Sequence, residues 1–286
     1  MNPINASSLL HFTKKKAALK SILKNGFRFS YCYEEYNKAI VFNNGQKEHA
    51  SFFVGENGTK RGVAIPMICF CDIPLIRTQE HAKCYGKYII GIDKNYAETL
   101  YNTLNPVLYL FSSRMNQSLC DISISKNNFE SKRACNYKQS VNHLIAFSKR
   151  YRGFDLYRKK ETCFYDEREW RIVIPDDGDD DVSWLWNIEF NSIDKYKEYI
   201  RPYNEKLHSS EAAYLRFIEI QEEKDEIHFC NFITHIVVRK ENEIPDLVQY
   251  ILNPKNKIFG YEYISDKARK ILVSKITSFE RIEKDF

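Results

Sequence analysis

The sequence lacks any apolar run long enough to cross a bilayer, and its first residues lack the basic-then-apolar pattern of a secretory signal. Only 10 glycines and 8 prolines occur in 286 residues, which excludes collagen-like and low-complexity chains. The chain also has no Cys-x-x-Cys pair, glycine-rich phosphate loop, nucleophile elbow, HExxH motif or kinase signature. We therefore expect a soluble, cytoplasmic protein that does not associate with membranes.

An excess of one charge is lacking as well. The 43 Lys and Arg residues exceed the 38 Asp and Glu residues by only five, and the basic residues are scattered, with 14–16 as one local run. Duplex-DNA-binding proteins usually concentrate positive charge on one face. Nucleic acid therefore stays open as a substrate, but the charge does not require it.

What is present is enough apolar chain for a sizeable core. Hydrophobic residues make up 43% of the sequence and aromatic residues 14%, which excludes general disorder. Eight cysteines in a chain without a secretory signal indicate reduced structural thiols. Cys69 and Cys71, with His81 and Cys84 downstream, suggest a zinc site only weakly, so we expect no metal.

Apolar periodicity and turn residues predict one α+β domain over residues 1–286, without linkers or repeats. A helix begins after Thr13 and stops at Asn25 and Gly26, and the acidic run 176–181 is a solvated loop. Other helices are predicted near 76–85, 141–148 and 245–252. Strands are predicted at 9–12, 63–71, 88–92, 105–110, 169–174, 215–220, 233–238 and 271–276.

The first candidate site is His11 and Thr13, at a predicted strand end before a helix. The N-terminus of a helix carries unpaired N–H groups and partial positive charge, which suit an anion such as a pyrophosphate. The alternative is that Thr13 only caps the helix and His11 is an ordinary histidine, and the spacing by itself favours that alternative.

The second candidate site is the pair Glu167 and Glu169. Residues two apart in an extended segment project from one face, so the two carboxylates repel and at least one pKa is expected to rise. Such a cost is typical of functional sites. The alternative is a half-exposed surface strand in which Arg168 and Arg171 neutralise both carboxylates.

The third candidate site lies in residues 81–88. His81 and Tyr85 are four residues apart, so in a helix they are neighbours on one side. A tyrosine before Gly86 can line a pocket or stack on a flat ring. The alternative is that Tyr85 and Tyr88 are core aromatics, which 19 tyrosines in one chain make reasonable.

A set of short segments follows one order along residues 9 to 286. The segments are 9–13, 22–27, 66–75, 81–88, 105–109, 165–171 and 274–286, and the most specific are 66–75 and 165–171. This order resembles the abortive phage resistance proteins labelled AbiGi, which are described as antitoxins.

A more distant resemblance is to ADP-ribosyltransferases: the His-x-Thr opening and the helix ending in Asn25-Gly26 are similar to DarT-type toxins, and the Glu-x-Glu pair resembles the catalytic strand of ADP-ribosyltransferases generally. It implies an ADP-ribosyltransferase-like α+β fold, with split mixed or antiparallel sheets, flanking helices and NAD bound as substrate between the sheets. It also implies a role for each candidate residue: His11 and Thr13 hold the ribose and diphosphate, Tyr85 or Tyr109 meets the nicotinamide with His81 nearby, Glu169 is catalytic, and Glu167 orients or deprotonates the acceptor.

Three functions follow from these resemblances. The first is an NAD-dependent ADP-ribosyltransferase or NAD glycohydrolase in anti-phage defence, with a nucleic-acid or protein acceptor. Its catalytic carboxylate would stabilise the positive charge that develops on the ribose. The second is a non-enzymatic antitoxin that binds a cognate toxin, in which Glu169 is an Arg-paired structural residue. The third is a regulatory module that binds a nucleotide without turning it over.

Overall fold

The computed structural model describes 15 strands and eight helices, and its largest sheet has nine strands. The described residues are 6–35, 41–43, 46–48, 60–100, 104–111, 140, 142–155, 158–175, 182–190, 192–210, 213–215 and 223–285. The strands are β1 (Ser8–Thr13), β2 (Ser30–Glu35), β3 (Val41–Asn43), β4 (Gln46–Glu48), β5 (Lys60–Cys71), β6 (Tyr88–Asp93), β7 (Leu104–Pro106), β8 (Leu108–Leu110), β9 (Ser148–Arg150), β10 (Arg152–Asp155), β11 (Lys160–Cys163), β12 (Glu169–Val173), β13 (Leu185–Phe190), β14 (Ile233–Val238) and β15 (Ile276–Ser278). The helices are α1 (Lys16–Asn25), α2 (Gln79–Tyr85), α3 (Lys94–Leu100), α4 (Ile193–His208), α5 (Glu223–Phe232), α6 (Ile244–Leu252), α7 (Asp266–Val273) and α8 (Phe279–Asp285).

The strand β5 organises the large sheet. The sheet order is β15-β14-β6-β1-β5-β12-β7, and β2 and β13 pair with other stretches of β5. Among the strands that the structure describes, β14 and β15 are the one parallel pair within it, while β8 and β9 form a separate parallel pair. The β5 strand is buried on both faces because apolar residues occupy successive positions along 63–68. The predicted α+β class with mixed sheets is confirmed, and the ADP-ribosyltransferase-like arrangement stays a prediction.

The two faces of the sheet are covered unequally. The main core lies on one face, where α1, α4, α5, α6 and α7 contribute buried side chains such as Leu23, Ile200 and Leu272. The second face carries two smaller apolar clusters. Ala82 of α2 and Phe279 of α8 belong to the first of these, and Ala146 and Trp184 to the second. In the described parts of the chain, no helix is long and apolar enough to cross a membrane.

The entry to α1 differs from the prediction. Thr13 ends β1 opposite Tyr88 instead of capping the helix, because the pairing of β1 with β6 continues to the last residue of the strand. The helix starts at Lys16, and Lys15 at its N-cap makes no side-chain capping bond. The predicted stop at Gly26 is confirmed, with a φ of 91° that favours glycine.

Other segments also differ from the prediction. The first half of the predicted strand 271–276 is helix, because Ser265 caps α7 and the helix continues to Val273, and β15 begins only at Ile276. The strand predicted at 105–110 is two strands, β7 and β8, on either side of Val107. The strand β12 is mostly buried, not half exposed. The acidic run 176–181 and most of the strand predicted at 215–220 lie outside the described residues.

Arg269 of α7 joins that helix to α6 through hydrogen bonds to main-chain carbonyls. Its side chain is fully buried, and its guanidinium donates to the main-chain carbonyls of Ile251, Asn253 and Asn256 at 2.6 to 2.9 Å. Those carbonyls lie at and just beyond the C-terminal end of α6, where helix carbonyls lack intrahelical partners and partial negative charge accumulates. Arg269 therefore acts as a buried cap for α6.

We expect Arg269→Met to lower the free energy of unfolding by roughly 2–3 kcal/mol, because several carbonyls lose a charged donor. Urea unfolding followed by circular dichroism measures the change. The matched control is Lys270→Met on the same helix, whose exposed pair with Asp266 at 3.7 Å should contribute less than about 0.5 kcal/mol. Equal losses in the two variants would contradict the capping role of Arg269.

Candidate functional site

A group of buried charges lies on the second face of the sheet, between the two small apolar clusters. The strand β12 supplies the centre, because Glu169 pairs with Cys71 and Arg171 pairs with Cys69 across the ladder to β5. Paired residues in an antiparallel ladder project from one face, so both charges point to the same side. We call the group the charged cluster; its members are Glu34, Lys149, Arg158, Glu167, Glu169 and Arg171.

Arg171 lies at the bottom of the charged cluster with no exposed surface. Its Nε donates to Glu169 Oε1 at 2.8 Å, and its Nη2 donates to Glu34 Oε1 at 2.5 Å. A third donor, Nη1, reaches the main-chain carbonyl of Ala146 at 2.6 Å. A guanidinium buried this deeply is tolerated only with such partners, because an unpaired buried charge costs several kcal/mol.

Lys149 bridges the two predicted catalytic carboxylates. Its Nζ lies 2.8 Å from Glu167 Oε2 and 2.9 Å from Glu169 Oε2. The lysine comes from β9, which is paired with β8 and is not a strand of the large sheet. The two carboxylates therefore meet at one ammonium group and do not simply repel each other.

Glu167 and Glu169 do not lie in one extended segment. Glu167 ends a short 3-10 turn (Phe164–Glu167), and Arg168 takes a left-handed conformation with a φ of 44° before β12 begins. The expected same-face geometry of a strand is therefore wrong for this pair. Glu167 is instead held by two further donors, Tyr85 Oη at 2.7 Å and Arg158 Nη2 at 2.8 Å.

The electrostatics of the pair also differ from the expectation of a raised pKa. Burial raises the pKa of Glu169, but Arg171 and Lys149 outweigh burial and hold that pKa well below its usual range. The pKa of Glu167 is likewise lowered against burial, mainly by Lys149. In return, the two carboxylates overcome burial and raise the pKa of Lys149 well above its usual value.

Glu34 behaves in the opposite way. Burial raises its pKa, and the attraction of Arg171 offsets only part of that effect, because Glu169 and Glu167 also place negative charge nearby. Among the three carboxylates of the charged cluster, Glu34 is therefore the one whose ionised form is least stabilised.

His11 and Thr13 lie apart from the charged cluster. Leu10 pairs with Cys71, which in turn pairs with Glu169, so Leu10 shares the face of Glu169 and the next residue, His11, projects from the opposite face. There the His11 ring packs in the main core against Phe27, at 5.2 Å between ring centroids, and its Nδ1 lies 2.9 Å from the carbonyl oxygen of Cys69. Burial lowers the pKa of His11. The structure does not bring His11 and Glu169 together.

The other predicted residues do approach the charged cluster. Tyr109 Oη accepts from the main-chain N–H of Glu169 at 2.9 Å. His81 and Tyr85 are neighbours on α2, with ring centroids 6.2 Å apart, and burial lowers the pKa of His81. Gly86 allows the end of this helix to lie close to β1, because a Cβ at position 86 would be only 2.2 Å from the Thr13 carbonyl oxygen.

Three cluster members were not singled out from the sequence as site residues: Glu34, Lys149 and Arg158. They lie on other elements of the chain, on β2, on β9 and just after β10, and no spacing rule connects them to the Glu-x-Glu pair. Arg171 was named as a neutralising residue, and it does pair with Glu169. Among the described residues, no three His, Cys, Asp or Glu side chains are grouped to hold a metal ion.

The family relationship follows from sequence comparison. The family model described as "Putative abortive phage resistance protein AbiGi, antitoxin" matches residues 39–209, which is more than half of the chain. The chain belongs to the AbiGi family. The matched range contains Lys149, Arg158, Glu167, Glu169 and Arg171. The likeness to DarT-type transferases stays a prediction.

A curated member of the AbiGi family resembles the chain over most of its length. "Abortive phage resistance protein AbiGi" of Lactococcus lactis subsp. cremoris is 27% identical over 251 residues, covering 81% of this chain and 92% of the relative. No solved structure matches the chain.

We expect Lys149→Met to lower the free energy of unfolding by about 3–5 kcal/mol, because two buried carboxylates would lose the cation between them. Urea unfolding at pH 7 measures the loss. Lys83→Met is the matched control, since Lys83 pairs with Glu80 on the exposed side of α2. An equally small effect of both variants would contradict a buried bridging role for Lys149.

The opposite pKa directions of Glu169 and Glu34 predict opposite effects of neutralising them. Glu169→Gln should lower the free energy of unfolding at pH 7 by about 2–4 kcal/mol, whereas Glu34→Gln should change it by less than about 1 kcal/mol. A lowered folded-state pKa stabilises the protein above the unfolded value of about 4.3, and that stabilisation disappears as pH falls through the folded value. The gap between wild type and Glu169→Gln should therefore close only in strong acid, as urea unfolding at several pH values would measure. Equal losses in both variants at pH 7 would contradict this assignment.

Proposed function

We propose that the protein is the antitoxin of an abortive-infection system and that it neutralises a toxin by binding it, without catalysis. The description of its family names an antitoxin, and the curated relative is named for phage resistance. The observation that carries the proposal is the state of Glu169. Its side chain is 7% exposed, and both carboxylate oxygens are engaged by Arg171 and Lys149.

A catalytic carboxylate would have to face the substrate. To stabilise positive charge on a ribose, it must present an oxygen to the sugar. Freeing Glu169 for that task would leave the fully buried Arg171 with fewer partners, at a cost of several kcal/mol. The contacts of Glu169 support the structural role that the antitoxin hypothesis assigns to it.

The position of His11 supports the same proposal. Holding one NAD molecule with His11 and Glu169 requires both side chains to line one cleft. In the ladder β1-β5-β12, however, the two side chains project from opposite faces of the sheet, with β5 between their strands.

A second candidate, the NAD-dependent ADP-ribosyltransferase or NAD glycohydrolase, is favoured by one observation. Four of the residues to which the resemblance gives a role in the transfer lie near one another around Lys149: Tyr85, Tyr109, Glu167 and Glu169. A substrate there would have to displace the ion pairs of Glu167. Under this second candidate, residues 1–286 form one transferase domain, and the acceptor of the ADP-ribose is a nucleic acid or a protein.

The two candidates are separated by measuring nicotinamide release from NAD by the purified chain and by Glu169→Gln at pH 7. DNA, RNA and cell lysate serve as acceptors, and circular dichroism checks the fold. The antitoxin proposal predicts no release from either protein. It also predicts that the chain forms a stoichiometric complex with the product of the neighbouring reading frame and restores growth when both are expressed.

Release of nicotinamide by wild type but not by folded Glu169→Gln would overturn the antitoxin proposal in favour of the transferase. NAD binding without release, and without a protein complex, would instead favour a nucleotide-binding module. Light scattering on the mixed proteins measures the stoichiometry of any complex.

A further inference from the structure

A group of aromatic rings is exposed beside the charged cluster. Phe111 is 79% exposed and Tyr165 is 51% exposed, although both are large and mostly apolar. Ring contacts connect them through Tyr151: Phe111 lies 5.0 Å from Tyr151, and Tyr151 stacks on Tyr165 at 5.4 Å between centroids. Tyr109 meets Tyr165 edge-on at 5.4 Å. We call these four residues the aromatic patch.

The elements that carry the aromatic patch are tied to the charged cluster by hydrogen bonds and ion pairs. Tyr109 and Phe111 come from β8 and its end, Tyr151 follows β9, and Tyr165 belongs to the 3-10 turn that ends at Glu167. The Tyr109 hydroxyl accepts from the Glu169 N–H, and the β9 residue Lys149 pairs with both buried carboxylates. The rings are therefore held in place before any partner binds, which reduces the entropy lost on binding.

One cation adjoins the aromatic patch without a carboxylate partner. The exposed Arg152 guanidinium lies 5.6 Å from the Tyr151 ring centroid, and no carboxylate among the described residues pairs with it. The neighbouring cations are engaged, since Lys149 and Arg158 pair with buried carboxylates and Arg150 donates to the carbonyl of Phe154. A partner thus meets apolar rings with one open positive charge at the edge.

These features fit a protein better than a nucleic acid. A phosphate backbone is bound by several open cations in a row, whereas the described residues that contact the rings include one such cation, Arg152. Leu108 and Leu144, each about half exposed, add aliphatic surface in the same β8–β9 region. Exposed aromatic, aliphatic and arginine side chains together are typical of the centre of a protein–protein interface.

We propose that the aromatic patch and Arg152 form the surface on which the toxin docks, through an apolar segment of the toxin with a carboxylate at its edge. The inference rests on the proposed antitoxin function and adds to it the surface and the chemistry of the partner. The apolar segment packs against Phe111 and Tyr165, and the carboxylate pairs with Arg152.

The experiment measures binding of the purified product of the neighbouring reading frame to the full chain by isothermal titration calorimetry. Phe111→Ser and Tyr165→Ser should each weaken binding about 10-fold or more, as expected for residues at the centre of an interface. Arg152→Glu should weaken binding more at low salt than at high salt, because salt screens the charge repulsion. The matched control is Tyr263→Ser, since Tyr263 is 74% exposed but lies outside this region and should bind like wild type. Circular dichroism checks that each variant is folded.

Normal binding by the folded patch variants would overturn this inference and leave the antitoxin proposal intact, because the toxin would then dock elsewhere. No binding by wild type, together with no rescue of growth, would overturn the antitoxin proposal and this inference with it. A short labelled single-stranded RNA serves as the competing probe. If wild type binds that RNA, Tyr165→Ser loses RNA binding and the protein complex is unaffected, the surface is assigned to nucleic acid. That result would overturn the inference.

Discussion

The buried guanidinium of Arg171 is the constraint on which the second face of the sheet depends. A charge without solvent must be matched inside the protein, and here the match comes from Glu169 on the same strand, Glu34 on β2 and the Ala146 carbonyl. Each of these partners lies in a different part of the chain. Their meeting point fixes how β2, β12 and the segment before β9 sit relative to one another.

Lys149 extends this constraint to the protein surface. It reaches the large sheet from the separate β8–β9 pair, and its two ion pairs join that pair of strands to Glu167 and Glu169. The aromatic patch lies on this joined layer. The carboxylates that resemble catalytic residues are thus ion-paired within this layer, and the exposed rings of the aromatic patch lie beside them.

Several local features could be predicted from the sequence because they depend on neighbouring residues. Apolar runs located β1, β5, β6 and β14, and Gly26 ended α1 as expected. The assignment of Thr13 as a helix cap was wrong because the pairing of β1 with β6 used that residue in the strand. The strand predicted at 271–276 was wrong over 271–273, because the helix capped at Ser265 continues to Val273 and β15 begins only at Ile276. In both cases a contact outside the local apolar pattern decided the outcome.

The sequence by itself determined which residues were chemically unusual: the pair Glu167 and Glu169, the nearby Arg171, and the mixed α+β class. Only the tertiary structure decided which partners those residues have. Ladder register placed His11 on one face and Glu169 on the other, and a lysine 18 and 20 residues away joined the two carboxylates. The physical reason is that the energy of a buried charge depends on partners within a few ångströms, and those partners are chosen by strand pairing and not by distance along the chain.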